Sequence, residues 1–315
     1  MSKTFNLPKE VFQEIFSEHS LGDVISVKEL HGGYANPAFL VNDKYVVRFN
    51  SDIKEDRKDC FLRENILYTL FPNLNIPAPQ AIAVNINKDK VPYYYIINSY
   101  VKGDILSSAY NSFTDEDKHI IAFHLGELLQ KIHSIHLDII GDSTKLFNWR
   151  LPWKEVFLNT FDKTYKEFND HGNLLPEEDK KVVEDTYSQF KEQISDNDIP
   201  IGLVHNDFHA NHVVVEHTKI TGIIDFEWAS FGDPLYDLQK LPINLSIDGE
   251  FYIKDFLKGY GLTKFSDKEL LRFKMYCVEQ GTWMIDRTRH GTHGFPKEGI
   301  EQGYELIKNI NTIVL

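Results

Sequence analysis

One β-patterned island, Ile201 to Phe226, interrupts a half of the chain that otherwise reads as helix, and it narrows the folds open to these 315 residues more than any other feature. Gly202-Leu203-Val204 runs into the polar loop HNDFHANH. Val213-Val214-Val215 and Ile220 to Ile224 then follow on either side of a turn near His217-Thr218-Lys219. Polar groups on a loop held by rigid strands are where chemistry is commonly placed, because the scaffold fixes their geometry. A length of 315 residues excludes a mini-protein and calls for one large unit or two lobes.

The first hundred residues are themselves rich in strands. Val24 to Leu30, Ala38 to Val41, Tyr45 to Phe49 and Tyr93 to Ile97 carry β-branched and aromatic residues between turn signals such as Gly32-Gly33 and Asn42-Asp43. They predict an antiparallel sheet, with Asp59 to Leu70 as one helix packed on it. Beyond Tyr100 the period changes to that of a helix. Thr114 before Asp115, Glu116 and Asp117 is an N-terminal signal, after which Ile120, Ile121, Leu125, Leu128, Leu129 and Ile132 recur on one face. Trp153 to Phe168 and Glu177 to Ile194 also read as helices joined around Gly172-Asn173. The pattern is helical again from Phe251, broken at Gly261 and in RHGTHGFPKEG. The expected fold class is therefore α+β and bilobal. Residues 1–100 form an antiparallel sheet lobe with one packed helix, and residues 101–315 a larger, mainly helical lobe.

Hydrophobic residues at 42% and charged residues at 26% allow a full core, so wholesale disorder is not expected. The formal charge of −13 repels polyanions and excludes nucleic acid as the expected partner. It is unevenly spread: residues 1–100 hold 11 Lys/Arg against 12 Asp/Glu, whereas residues 101–315 hold 23 against 35, a net of −12. Cys60 and Cys277 form no CxxC pair, so neither a disulfide scaffold nor a structural zinc site is indicated. No apolar run reaches the roughly 18 residues of a membrane span, and MSKTFNLPKE lacks the apolar core of a signal peptide. These features predict a cytoplasmic protein with no membrane partner, as a monomer or weak dimer.

Four ligating or ionisable side chains fall within eight positions: His205, Asp207, His209 and His212. The cluster by itself allows a transition-metal site, an acid/base pair centred on Asp207, or a purely structural loop whose histidines bond carbonyls. A second acidic element, Asp225-Phe226-Glu227, ends the next hairpin 18 residues after Asp207. Two aspartates so placed suit phosphoryl transfer from a nucleotide, one aligning the acceptor hydroxyl and the other holding Mg²⁺ against the phosphates.

With that second element the stretch LVHNDFHANHVVVEHTKITGIIDFEWASFGDPLYDL resembles the catalytic core of the aminoglycoside phosphotransferase family, small-molecule kinases with a protein-kinase-like fold. HGGYANPAFLV, YVVRFN, FLRENILYTL, NIPAPQAIAV and LGELLQKIHSI fall in the family's order, over roughly residues 25 to 240. The resemblance implies Asp207 as catalytic base or hydroxyl-positioning group and Asp225 as principal Mg²⁺ ligand. Arg48 would meet the nucleotide phosphates, oriented by Glu64. It further implies nucleotide contacts from Gly32, Gly33 and Asn36, hinge contacts to the base from Asn98 and Tyr100, and loop support from His205 and Asp237. There is no GxxxxGK[ST] loop.

The family loop most often reads HxDxxxxN, but the Asn position is His212 here and the nearest Asn is Asn211. Aminoglycoside 2″-phosphotransferases and macrolide phosphotransferases share that histidine and often accept GTP, so the implied donor is ATP or GTP, and either His212 or Asn211 serves the metal. Glu227, Glu279, Trp283, Asp286 and Glu301 are candidate acceptor contacts. The leading expectation is a kinase of a cationic hydroxyl compound, an aminoglycoside-type antibiotic, with antibiotic resistance as its consequence. The alternatives are a kinase of an endogenous amino alcohol or sugar, a metallohydrolase using His205, Asp207, His209 and His212, and a non-catalytic nucleotide-binding module.

Overall fold

The computed structural model describes residues 7–30, 36–50, 58–172, 175–247, 250–290 and 298–311; Gly32, Gly33 and most of the RHGTHGFPKEG segment lie outside them. The chain divides into two compact units. One comprises Met1–Gly103 with Val214–Glu216 and Thr221–Trp228, and the other Asp104–Val213, His217–Ile220 and Ala229–Leu315.

The first unit contains α1 (Lys9–Glu18), β1 (Val27–Leu30), β2 (Ala38–Val41), β3 (Tyr45–Phe49), α2 (Lys58–Leu70), β4 (Ala81–Asn85) and β5 (Tyr95–Ser99). The strands pair antiparallel in the order β1-β2-β3-β5-β4, with Arg48 opposite Ile96 and Val46 opposite Asn98. The sheet is the one its alternation predicts, with one strand added. Strand β4 begins in the NIPAPQAIAV stretch, and its pairing with β5 is irregular between Ala81 and Ala83. The expectation of a single packed helix is corrected, because α1 also belongs to this unit. Its Phe12, Ile15 and Phe16 are fully buried among Phe39, Val47, Phe49 and Tyr95, with Phe12 edge-on to Phe39 at 5.1 Å and to Phe49 at 5.7 Å. No side chain caps α1, so its start carries little local signal and packing supplies the stability.

The return of Thr221–Trp228 to this unit departs from a division at residue 100. It follows from packing on α2 and the chain just after it: Phe226 lies edge-on to Tyr68 of α2 at 6.1 Å and to Phe71 at 4.9 Å, and the Ile223 amide donates to the Pro77 carbonyl at 2.9 Å. Asp225 and Glu227 are therefore residues of the first unit.

The second unit begins with the two-residue strand β6 (Asp104–Ile105) and the single-turn α3 (Leu106–Ala109). Helix α4 (Asp115–His133) follows, capped reciprocally by Thr114 and Asp117 as the sequence signal requires. After the short α5 (Leu137–Ile140) come α6 (Trp153–Asp170) and α7 (Glu177–Gln193). The island supplies β7 (Gly202–Val204) to this unit, and β10 (Ser230–Gly232) pairs antiparallel with β7; of its other strands, β8 (Val213–Glu216) and β9 (Lys219–Ile223), most residues count with the first unit. Helices α8 (Ile253–Tyr260), α9 (Asp267–His290) and α10 (Glu298–Lys308) complete the unit. Gly261 ends α8 at φ 81°, a conformation that favours glycine. No helix among the described residues is long and apolar enough to cross a membrane.

Two glycines let α4 and α8 touch backbone to backbone. A Cβ on Gly126 would stand 2.0 Å from the Phe256 carbonyl oxygen, and one on Gly259 would stand 2.0 Å from that of Phe123. A methyl at either place forces the helices apart. Gly259→Ala is therefore expected to lower stability by about 1–3 kcal/mol, read as a lower urea midpoint at unchanged slope.

Candidate functional site

In the first unit the reactive groups gather around one guanidinium. Strand β3 carries Arg48, whose Nη1 donates to both oxygens of Glu64 on α2, at 2.8 and 2.7 Å. Its Nη2 donates to Asp225 Oδ1 at 3.0 Å and Glu227 Oε2 at 3.1 Å. Burial works against the Arg48 charge, but the Glu64, Asp225 and Glu227 carboxylates hold the guanidinium protonated. Helix α2 contributes more than Glu64. Tyr68 donates to Glu64 Oε1 at 3.0 Å and accepts the Asp225 amide at 3.0 Å, and Arg63 clasps the Glu227 carbonyl through Nε and Nη2 at 2.9 and 2.8 Å. These bonds hold Asp225 at φ 69°, a rare conformation for a residue with a side chain and one that clusters at functional sites. Glu64 is fully buried, whereas Asp225 keeps 30% of its side chain exposed. Three carboxylates around one guanidinium leave an excess of negative charge, and Asp225 brings its oxygens partly to solvent, which fits a hard divalent cation.

Asn36 donates to Glu227 Oε2 at 2.7 Å. Glu227, expected at the acceptor, is thus tied to Asn36 and Arg48. Asn98 is buried, and its Oδ1 meets no hydrogen-bond partner among the described residues. The Tyr100 amide donates to the Lys44 carbonyl at 2.8 Å.

In the second unit the polar loop leaves β7 and is held from beneath by Asp237. One oxygen of Asp237 accepts the His205 amide at 2.7 Å and His133 Nε2 at 3.0 Å, and the other accepts the Asn206 amide at 2.8 Å. Burial raises the Asp237 carboxyl, but bonds and charge from His133 and His205 outweigh it and bring it below the usual range. Asn206, at φ 66°, accepts Arg150 Nη1 at 2.8 Å and donates to Ser230 Oγ at 2.8 Å. Arg150 is in turn stacked over the Tyr236 ring at 4.6 Å. His205, fully buried, donates no chemistry outward; its Nδ1 receives the Asp207 amide at 3.3 Å.

Asp207 follows with 38% of its side chain exposed and its Oδ1 2.7 Å from Lys240 Nζ. Burial pushes this carboxyl up, but Lys240, a hydrogen bond from His209 and the fields of His209 and His212 hold it well below the usual carboxylate range. Burial, Lys240 and His212 lower the His209 imidazole from 6.5 to about 3, so it is neutral. Its Nδ1 accepts the Asn211 amide at 3.3 Å, which leaves the proton on Nε2, 3.5 Å from Asp207 Oδ1. His212 donates from Nδ1 to the Asp207 carbonyl at 2.9 Å, which puts its lone pair on Nε2. The Asn211 carbonyl oxygen accepts a hydrogen bond from Ser107. Asp207, His209 and His212 lie close enough to share an ion, their ligand atoms within 4.8 Å of one another. Two nitrogens and one oxygen suit a transition metal better than Mg²⁺.

Of the late candidates, Glu279 feels the charges of Arg150 and Lys240 beside the loop. Glu279 is buried and accepts Tyr236 OH at 3.2 Å, with burial raising its carboxyl; Asp286 pairs with His171 at 2.8 Å; Glu301 is exposed on α10 and Trp283 half-buried on α9. Lys240, Arg150, His133, Arg63 and Tyr68 escaped the sequence reading. Only Lys240 had a usable signal, its spacing three residues after Asp237.

Two outcomes follow. Asp237→Ala leaves two amides and His133 without their acceptor, and should cost about 3–5 kcal/mol in chemical denaturation. As the pH falls below about 6.5 toward about 3, the unfolded chain protonates His209 while the folded chain does not, so stability declines over that interval. His209→Gln should flatten that slope in melting curves taken across it.

A family model described as phosphotransferase enzyme family matches residues 26–273. A homoserine kinase of Methylobacillus flagellatus is 23% identical over 233 residues, 73% of this chain, and the chain spans 66% of that relative's length. Among solved structures, the GDP and kanamycin complex of APH(2″)-IIIa superposes with TM-score 0.71 at 18% identity, covering 98% of this chain and all of that one. The streptomycin and ATP complex of APH(2″)-IIa gives 0.68 at 22% identity, covering 99% of this chain and all of that one. At these identities the structural likeness is one of fold.

Proposed function

The chain belongs to the phosphotransferase enzyme family, and from that premise we propose that it is a small-molecule kinase, transferring the γ-phosphoryl group of ATP or GTP to a hydroxyl with Mg²⁺ as cofactor. The observation that carries the reading is the Arg48–Glu64 pair beside the half-open Asp225 carboxylate. A cation pre-oriented by a buried acid suits nucleotide phosphates, and an adjacent exposed carboxylate suits their metal ion. Asp225 would hold Mg²⁺, which neutralises phosphate charge. His212 Nε2 is the candidate for a further ligand, since the Asn211 oxygen already accepts from Ser107. Gly32, Gly33 and Asn36 would border the phosphates, and Asn98 and Tyr100 the base.

Asp207 would receive the acceptor hydroxyl. A carboxylate held so far toward its ionised form is a weak base, which is compatible with a loose transition state that needs alignment more than deprotonation. The reading of these histidines as a hydrolytic metal centre is disfavoured by Lys240, whose ammonium 2.7 Å from Asp207 Oδ1 already brings positive charge to the place a metal ion would take.

For the acceptor the proposal is a cationic, aminoglycoside-type antibiotic, with resistance as the cellular effect, in a cytoplasmic monomer or weak dimer. Its support is the net charge of −12 over residues 101–315, a field that draws a cation in, rather than any one of Glu279, Asp286 or Glu301. A second acceptor class, an amino-alcohol metabolite, is favoured by the likeness to a homoserine kinase.

Asp207→Ala should lower turnover by about 10³-fold while nucleotide affinity, measured by calorimetry, stays within twofold; wild-type turnover in that variant would refute the assignment. Nucleotide consumption should be screened with ATP and GTP over aminoglycosides, macrolides and homoserine. Consumption stimulated only by homoserine would decide for the metabolite. Stimulation by an aminoglycoside that weakens steeply with added salt would decide for the antibiotic.

A further inference from the structure

Lys240 is a side chain that neither the loop pattern nor the family reading assigns. It sits between two short 3₁₀ turns, Pro234–Leu238 and Leu241–Ser246, and its carbonyl accepts the Leu245 amide at 2.9 Å. Asp237 in the first turn and Lys240 just after it are three residues apart, and both reach the same loop: Asp237 takes the amides of His205 and Asn206, while Lys240 takes the Asp207 side chain at 2.7 Å. One short segment thus fixes the backbone before Asp207 and the carboxylate itself.

The exposures within this ion pair are unequal. Lys240 keeps 13% of its side chain exposed and Asp207 keeps 38%. Here the ammonium stands behind a carboxylate whose other side is open, and the oxygen it grips is Oδ1. His209 Nε2 approaches the same oxygen at 3.5 Å, and the His212 ring lies 3.8 Å from Oδ2. Oδ1 is therefore engaged twice over, and Oδ2 is the oxygen left for an incoming hydroxyl.

We infer that Lys240 is a positioning residue for phosphoryl transfer: by holding Asp207 Oδ1 it fixes the carboxylate's rotation so that Oδ2 meets the acceptor hydroxyl. The inference rests on the kinase reading above. It requires Lys240 to act through Asp207 and not on the phosphoryl group. A longer, planar guanidinium can still grip Oδ1, whereas an isosteric apolar chain cannot.

The test measures ADP or GDP release with kanamycin, with homoserine and with water alone as acceptor probes, in Lys240→Met, Lys240→Arg, Asp207→Asn and the Met/Asn double variant. Lys240→Met should lose about 10²-fold in turnover while nucleotide affinity holds. Lys240→Arg should recover part of the loss. The double variant should be no slower than Asp207→Asn, because the lysine has nothing left to position. Independently of turnover, the ¹⁵N-labelled Lys240 ammonium signal should shift in Asp207→Asn. Turnover in Lys240→Met within twofold of wild type, a double variant slower than Asp207→Asn by the full factor of the lysine change, or an unmoved ammonium signal would each overturn the inference. Each of these results leaves the kinase reading standing if Asp207→Ala remains inactive, and full activity of Asp207→Ala would remove the kinase reading instead.

Discussion

The second unit turns on one buried carboxylate. Asp237 is sealed from solvent, yet it satisfies two consecutive loop amides and a histidine of α4. A buried charge is tolerable only with such partners, and each partner is a part that chemistry needs held still. The His205 and Asn206 amides set the path of the loop into Asp207. His133 ties that path to α4, which also lies against α8 at Gly126 and Gly259. The rest of the loop builds outward from this point, with Asn206 locked between Arg150 and Ser230 and Asp207 gripped by Lys240.

The first unit solves a similar problem with the opposite sign. Arg48 is the buried cation, and three carboxylates surround it. Glu64, with no exposed surface, serves as the fixed orienting partner. Asp225 and Glu227 arrive from a segment far along the chain, attached to α2 by the Tyr68 hydroxyl, the Arg63 guanidinium and the Phe226 ring. Helix α2 is consequently polar and apolar on its buried side at once, with Cys60, Phe61 and Leu67 beside Arg63 and Glu64. It is a scaffold for charge as much as a cover for the sheet.

Much of this was legible from residue order. Sheet strands announce themselves by alternation and by flanking turns, and α4 by Thr114 and the acidic turn behind it. The pairing of HNDFHANH with a downstream acidic hairpin pointed to Asp207 and Asp225 because chemistry on loops is concentrated in few positions. Helix α1 was not legible, since it has neither a side-chain cap nor a strong neighbour in sequence, and its apolar face is meaningful only against Phe39, Phe49 and Tyr95. The partners of Glu227 were not legible for a related reason. Its character as a surface or substrate carboxylate cannot be told from type alone, and the partners that claim it, Asn36 and Arg48, lie 191 and 179 positions away.

By itself the sequence determined the α+β class, the alternation of a sheet-rich beginning with a helical remainder, the polar loop and the negative balance of the larger segment. Those properties are local or additive: period, turn chemistry and charge can be read within a window or summed over one. Tertiary structure alone decided which carboxylates surround Arg48, that Asp225 and Glu227 belong with the first unit, and that Lys240 stands behind Asp207. Each of these is a pairing across a large sequence separation, and the energy that selects it comes from burial and charge compensation, which exist only once the chain has closed around them.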